Sequence, residues 1–182
     1  MRPENMLQEF ESLALHYIKE MDNYTWEAFN RKPSPDSWSL GEMYNHVIET
    51  GFLQLESLHA CLASPEDKSA KKTAVGKIVY FIGGIPPIKA KVPKSAEHTA
   101  GPPSSKEELV QKMIRFRKLM EEALPVVKQA SPDRKVEHPY FGYINAKEWY
   151  HHIVMHVRHH LRQKKRIDAF LSHTLMRTKS DS

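Results

Sequence analysis

Cysteine is almost absent from this chain: Cys61 stands alone among 182 residues, so no intramolecular disulfide can form. A chain of that length needs none, since it can bury a substantial core unaided. Cys61 itself falls within a helical pattern and reads as a small buried hydrophobe. Long apolar runs are missing too. None can span a bilayer, and the opening Met1-Arg2-Pro3-Glu4 is not followed by a signal-peptide core. The expectation is a cytoplasmic protein with no membrane partner. No segment sustains the alternation of a strand, although Lys77–Ile82 reads as either extended or a short helix. With no internal repeat and no sign of a second domain, a single domain over residues 1–175 is expected, followed by a flexible tail at 176–182.

Charge leans positive, with a net +5 and a pI of about 9.2. The cations gather late, at Arg158, Arg162, Lys164, Lys165 and Arg166. No aromatics are interleaved there for base stacking, so a solvated helix end explains them better than a nucleic-acid partner.

What is present is helical periodicity. Met6, Phe10, Leu13, Ala14, Tyr17, Ile18 and Met21 recur three and four apart and mark a first helix. A second opens at Ser39 with Glu42 three positions on, a capping box, and runs to about Ala63. A third follows Pro103 with Ser104 and Glu107 as its capping pair. It carries the stripe Leu109, Met113, Phe116, Met120, Ala123 and Val127, and Pro125 is expected to kink or end its last turn. A fourth opens at Asn145 with Glu148 and runs to about Ser172. The connections 23–38, 65–103 and 131–144 are long and contain proline. Such lengths let a four-helix bundle leave simple up-down-up-down order. The 65–103 stretch keeps Ile85 and Ile88, and reads as a crossover with lid potential rather than a disordered linker.

Of eleven histidines, five lie between positions 151 and 160. At about 100° per residue, His156 shares a face with Trp149, His152, Ile153, His160, Gln163, Ile167 and Phe170. That seam is apolar at both ends and polar in the middle, and polar groups in such a seam need partners. His156 and His160 are one turn apart and can grip one ion together. A third ligand must come from another helix. His46, bordered by Glu42, Met43, Glu49, Thr50 and Leu53, is the best candidate. A histidine pair at this spacing also arises on solvated faces, so spacing by itself leaves metal binding open.

Two segments carry more. Lys32-Pro33-Ser34-Pro35-Asp36-Ser37-Trp38-Ser39-Leu40-Gly41-Glu42-Met43-Tyr44-Asn45-His46 resembles the proline-rich lead and W-S-x-x-E-x-x-x-H helix of the DinB/YfiT-like family of metal-dependent bundle proteins. His156-Val157-Arg158-His159-His160-Leu161-Arg162-Gln163 resembles its H-x-x-x-H-x-x-Q signature. The helix layout agrees from about residue 5 to 172. The resemblance implies an all-α four-helix bundle in up-down-down-up order, metal ligands at His46, His156 and His160, a supporting role for Gln163, and a homodimer. Characterised relatives include thiol-dependent transferases and isomerases, and others are described as hydrolases.

Three neutral imidazoles leave a coordination position open, as catalytic zinc sites do. Zinc is the first choice on ligand chemistry; nickel, iron and manganese also accept imidazole. The expected substrate is a small molecule, a thiol among the options. Catalytic side chains are not identifiable, and the candidates are Glu42, Glu49 and His152. The capping box already accounts for Glu42, and His152 reads equally as a supporting or a lining residue. His151 and His159 are expected to point sideways or outward, and Trp38 to pack at the start of the second helix. The cations at 162–166 are expected near the site mouth, where they would draw in an anionic substrate. A metalloenzyme leads, a non-catalytic metal- or ligand-binding module is the alternative, and a nucleic-acid binder ranks last.

Overall fold

In the computed structural model, residues 1–86 and 101–180 are described, with side chains up to residue 173. Four long helices form the bundle: α1 (Pro3–Met21), α3 (Leu40–Ala63), α5 (Lys106–Gln129) and α6 (Ala146–Ser180). Two short helices, α2 (Trp26–Asn30) and α4 (Ala74–Ile82), and a hairpin of β1 (Lys135–His138) and β2 (Gly142–Asn145) fill the connections. No helix among the described residues is long and apolar enough to cross a membrane.

Side-chain contacts fix the helix directions. Lys106 at the start of α5 donates to the Met21 carbonyl at the end of α1, and Lys128 at the other end of α5 pairs with Glu4, so these two helices are antiparallel. Arg158 pairs with Glu9, and Lys164 with Glu20, so α6 runs parallel to α1. Lys112 reaches Asn45, and further along both helices Phe116 packs on Phe52, so α5 runs parallel to α3. Cys61 Sγ meets the Ile144 carbonyl at one end of the α3–α6 pair, and His46 meets His156 at the other, so that pair is antiparallel. This is up-down-down-up order.

The local signals explain why the helices start where they do. Ser39 and Glu42 form the expected capping box. Asn145 Oδ1 accepts from the Glu148 amide while Glu148 Oε2 accepts from the Asn145 amide, the same reciprocal arrangement at α6. The third helix is shifted by one residue from expectation. Ser105, not Ser104, is its N-cap and accepts from the Glu108 amide, while the Glu108 carboxylate takes the Ser104 amide at 2.8 Å. Pro125 does not end α5, which continues to Gln129. A proline one turn from a helix end forfeits a single backbone bond, and buried Val127 holds the turn in place.

Two elements depart from the reading of the connections, and a third settles a reading left open between strand and helix. Residues 26–30 are helical because Thr25 Oγ1 accepts from the Ala28 amide and Phe29 is buried. Residues 74–82 settle as helix, capped by Thr73 at the front and by Gly83 in the left-handed region (φ 63°) at the back. Residues 135–145 form a two-stranded antiparallel hairpin that pairs His138 with Gly142. Its strands are four residues long, too short for alternation to register. Of the 65–103 crossover, residues 87–100, including Ile88, lie outside the described residues, as do 181–182 of the expected tail.

The core fills with aromatic and methionine side chains: Phe10, Tyr17, Tyr44, Phe116 and Tyr150 are fully buried. Tyr17 and Tyr150 satisfy their hydroxyls on the Val157 and Met120 carbonyls, at 3.0 and 2.9 Å. Cys61 is buried as expected, and desolvation pushes its thiol up to about 11. Gly51 lets α3 approach α5, since a Cβ there would meet the Phe116 ring at 2.1 Å. Gly51→Ala should therefore lower stability by roughly 1–3 kcal/mol, despite the better helix propensity of alanine. Thermal unfolding checks this, and Phe116→Leu in the same chain should recover part of the loss.

Candidate metal centre

The α3–α6 register brings the three expected histidines together. His46, two turns into α3, faces the middle of α6, and the ring centroids of His156 and His160 are 5.3 and 4.9 Å from its own. One ring nitrogen from each of the three lies within 4.8 Å of the others, and among the described residues no carboxylate or cysteine joins this group. His156 Nε2 and His160 Nε2 are 3.1 Å apart. Two imidazole nitrogens on one tetrahedral ion at ~2.0–2.1 Å would stand about 3.3 Å apart, so the pair is already spaced for an ion.

The protonation states suit the same purpose. Desolvation pushes His160 down to about 3, and His156 well below its ordinary value, with the neighbouring imidazoles adding to both. Both rings are neutral at physiological pH, and a ligating histidine must be neutral. Gln163 accepts a 2.8 Å hydrogen bond from His160 Nδ1 through its amide oxygen, and the tautomer this selects carries its lone pair on Nε2, towards His156. His46 Nδ1 lies 3.4 Å from Thr50 Oγ1, one turn on. His156 Nδ1 is buried without a partner. The donor set therefore fits a borderline divalent ion.

Trp38 belongs to this site, although sequence reasoning gave it only a packing role. Its ring centroid is 4.6 Å from that of His46, and it stacks at 15° over His160 with centroids 6.4 Å apart. Its position just before the α3 cap was the available signal, since a side chain next to the cap can fold back over the first two turns.

The catalytic candidates are placed elsewhere. Glu42 spends Oε2 on the Ser39 amide and pairs Oε1 with Lys32 at 2.7 Å. Glu49 faces α5 and pairs with Lys112 at 2.7 Å, because three positions along α3 turn it about 60° to one side of His46. His152 is buried one turn before His156, but its nearer ring neighbour is His138, at 4.7 Å against 6.1 Å for His156. His151 and His159, expected to point sideways or outward, do not face open solvent. His151 is buried against Tyr80 of α4, and His159 is half-buried against Ile85, because α4 and its exit loop cover that face of α6. Lys164 is not available to a substrate. It is 3% exposed and bonded to Glu20, Asp168 and the Tyr24 hydroxyl, and these partners outweigh burial and raise its pKa. Arg162 donates to the Ile85 carbonyl, which leaves Lys165 and Arg166 exposed.

Sequence reasoning missed His138. Its Nδ1 accepts from the Tyr140 and Phe141 amides at 3.1 and 3.2 Å and closes the hairpin turn. Its ring stacks on Phe141 at 7° and backs His152. No local pattern marks such a residue.

Comparison with known proteins agrees with the fold. A family model described as the DinB superfamily matches residues 7–163. A solved structure described as "TT2238, a four-helix bundle protein" superposes with a TM-score of 0.53 and 15% sequence identity, over 90% of this chain and 96% of that one. No curated protein matches the chain.

Burial lowers His138 to about 4. In the unfolded chain the same imidazole titrates near 6.5, so below that pH the unfolded state takes up a proton that the folded state refuses, and stability falls with pH down to about 4. This residue alone should cost roughly 2 kcal/mol between pH 7 and pH 5. His138→Asn keeps an acceptor for the two amides but cannot titrate. Urea unfolding at the two pH values should show a flatter response in that variant.

Proposed function

We propose that this chain, which belongs to the DinB superfamily, is a metal-dependent enzyme that holds a divalent ion on His46, His156 and His160 and uses it for hydrolysis or thiol-dependent transfer. One observation carries the reading: imidazoles from two helices converge within 4.8 Å, with no fourth ligand among the described residues. When bound, the ion supplies a Lewis acid with an open coordination position, suited to activating water or a thiol. Zinc is favoured by the three-imidazole set, and nickel, iron and manganese are the alternatives.

The chain's own residues prepare the site. Gln163 orients His160, and burial keeps His156 and His160 unprotonated, so little proton release accompanies binding. Trp38 covers one side with an apolar face and keeps bulk water from it. His46 and His156 remain half-buried rather than sealed, which leaves room for a small substrate. A homodimer of single-domain chains, each folded over residues 1–175, and a cytoplasmic setting complete the proposal.

The alternative is a module that binds metal or a small ligand without catalysis. The pairing of Glu42 with Lys32 and of Glu49 with Lys112 favours it, because neither carboxylate is free to act as a general base. Turnover of ester and thiol-adduct panels by metal-loaded protein separates the two readings.

Elemental analysis of purified protein should find about one divalent ion per chain, and His156→Ala or His160→Ala should lose it. Protein that takes up no ion with its histidines intact would refute the reading. Gln163→Leu should weaken affinity by about 10–100-fold while leaving the unfolding midpoint of the metal-free protein nearly unchanged. Cobalt titration should quench Trp38 emission, and the quench should vanish in His160→Ala.

A further inference from the structure

Helix α4 presents its apolar side to solvent. Val75, Ile78, Phe81 and Ile82 recur three and four apart along one face and are 50%, 58%, 93% and 54% exposed. The opposite face is what anchors the helix. Val79 is buried, and the Tyr80 hydroxyl donates to the Glu148 carbonyl at 3.0 Å. Gly76 lies so close to the hairpin that a Cβ would meet the Phe141 carbonyl oxygen at 2.4 Å. Thr73 donates its amide to that same oxygen at 2.9 Å. The exposed stripe cannot turn inward without breaking these contacts.

The surroundings of the stripe are cationic. Between positions 68 and 86 the sequence holds four lysines and no aspartate or glutamate. Lys72 is spent on Glu148, but Lys68, Lys71 and Lys77 are exposed, and Lys77 borders the stripe on α4 itself. An apolar helix face rimmed by lysines, too short to span a bilayer, has the character of an interfacial helix.

We propose that α4 docks this protein onto an anionic lipid surface, with Ile78 and Phe81 entering the headgroup boundary and Lys71 and Lys77 meeting lipid phosphates. This is contact with a surface and not a crossing, for which no helix among the described residues is long and apolar enough. Charge complementarity selects this occupant over a second copy of the chain. Two copies would bring their lysine-rich segments face to face, and four side chains fall well short of the about 800 Å² per partner that a stable dimer buries. Nucleic acid would answer the lysines but gain nothing from Val75, Ile78 and Ile82.

Flotation of the full chain with vesicles tests this. Binding to vesicles of equal parts phosphatidylcholine and phosphatidylglycerol should exceed binding to phosphatidylcholine alone by roughly tenfold and should weaken with salt. Ile78→Ser with Phe81→Ser should cut binding about tenfold, as should Lys71→Glu with Lys77→Glu, each without lowering the unfolding midpoint. A Phe81→Trp variant should add an emission component that shifts to the blue only when anionic vesicles are present. Equal binding to both vesicle types, or binding that survives the Ile78 and Phe81 changes, would overturn the proposal. So would Phe81→Trp emission already blue-shifted in the free protein, which would mean the chain covers its own stripe. Self-association abolished by Phe81→Ser would assign the face to a second copy, and tighter binding to DNA than to the anionic vesicles would assign it to nucleic acid.

Discussion

An antiparallel pair of helices, α3 and α6, must hold one register for His46 to meet His156 and His160, and each end of that pair is pinned separately. At the histidine end, the Ser39–Glu42 box sets where α3 begins and so which residue falls two turns in. At the far end, Asn145 and Glu148 set the start of α6, and Cys61 lies against the Ile144 carbonyl. Gly51 removes a side chain where α3 would otherwise ride up on Phe116. A slip of one residue in either helix would rotate an imidazole by about 100° and scatter the cluster.

The interior of this bundle is unusually rich in imidazole, and burial gives those rings a common property. His138, His151, His152, His156 and His160 are all pushed below their ordinary pKa, chiefly by desolvation. A neutral imidazole can stack, accept a hydrogen bond or ligate a metal, and the chain assigns these tasks by position. His138 closes a turn and stacks, while His156 and His160 face His46. The cations around them are balanced locally: Arg158 by Glu9, and Lys164 by Glu20 and Asp168. These pairs tie α6 to α1 and keep positive charge from the place where a divalent ion would bind.

Much of this was legible in the sequence. The buried residues of α1 and α5 are among those the periodicity selects, from Met6 and Phe10 to Met120 and Val127, whereas α3, packed on more than one side, also buries Tyr44, Asn45 and Ile48. The His156–His160 pair follows from the helical repeat alone. Short elements were not legible. Strands of four residues and a helix of five are too brief for a period to emerge, and they form here because Thr25, Thr73 and His138 satisfy backbone amides locally. The cap of α5 was displaced by one residue because two adjacent serines and two adjacent glutamates offer two equivalent boxes, and only packing chooses between them.

Helix identity, the one-turn spacing of two imidazoles and the resemblance to a bundle family are properties of local sequence, because backbone periodicity and capping act over a few residues. Tertiary structure decided which polar groups were already occupied. Glu42, Glu49 and Lys164 look available in a linear reading, and each is claimed by a partner, two of them on other helices: Lys32, Lys112 and Glu20. Trp38 looks like packing and lies over the histidines. Whether a charge is free or an aromatic faces a site depends on distances across the bundle, and no pattern along the chain encodes those distances.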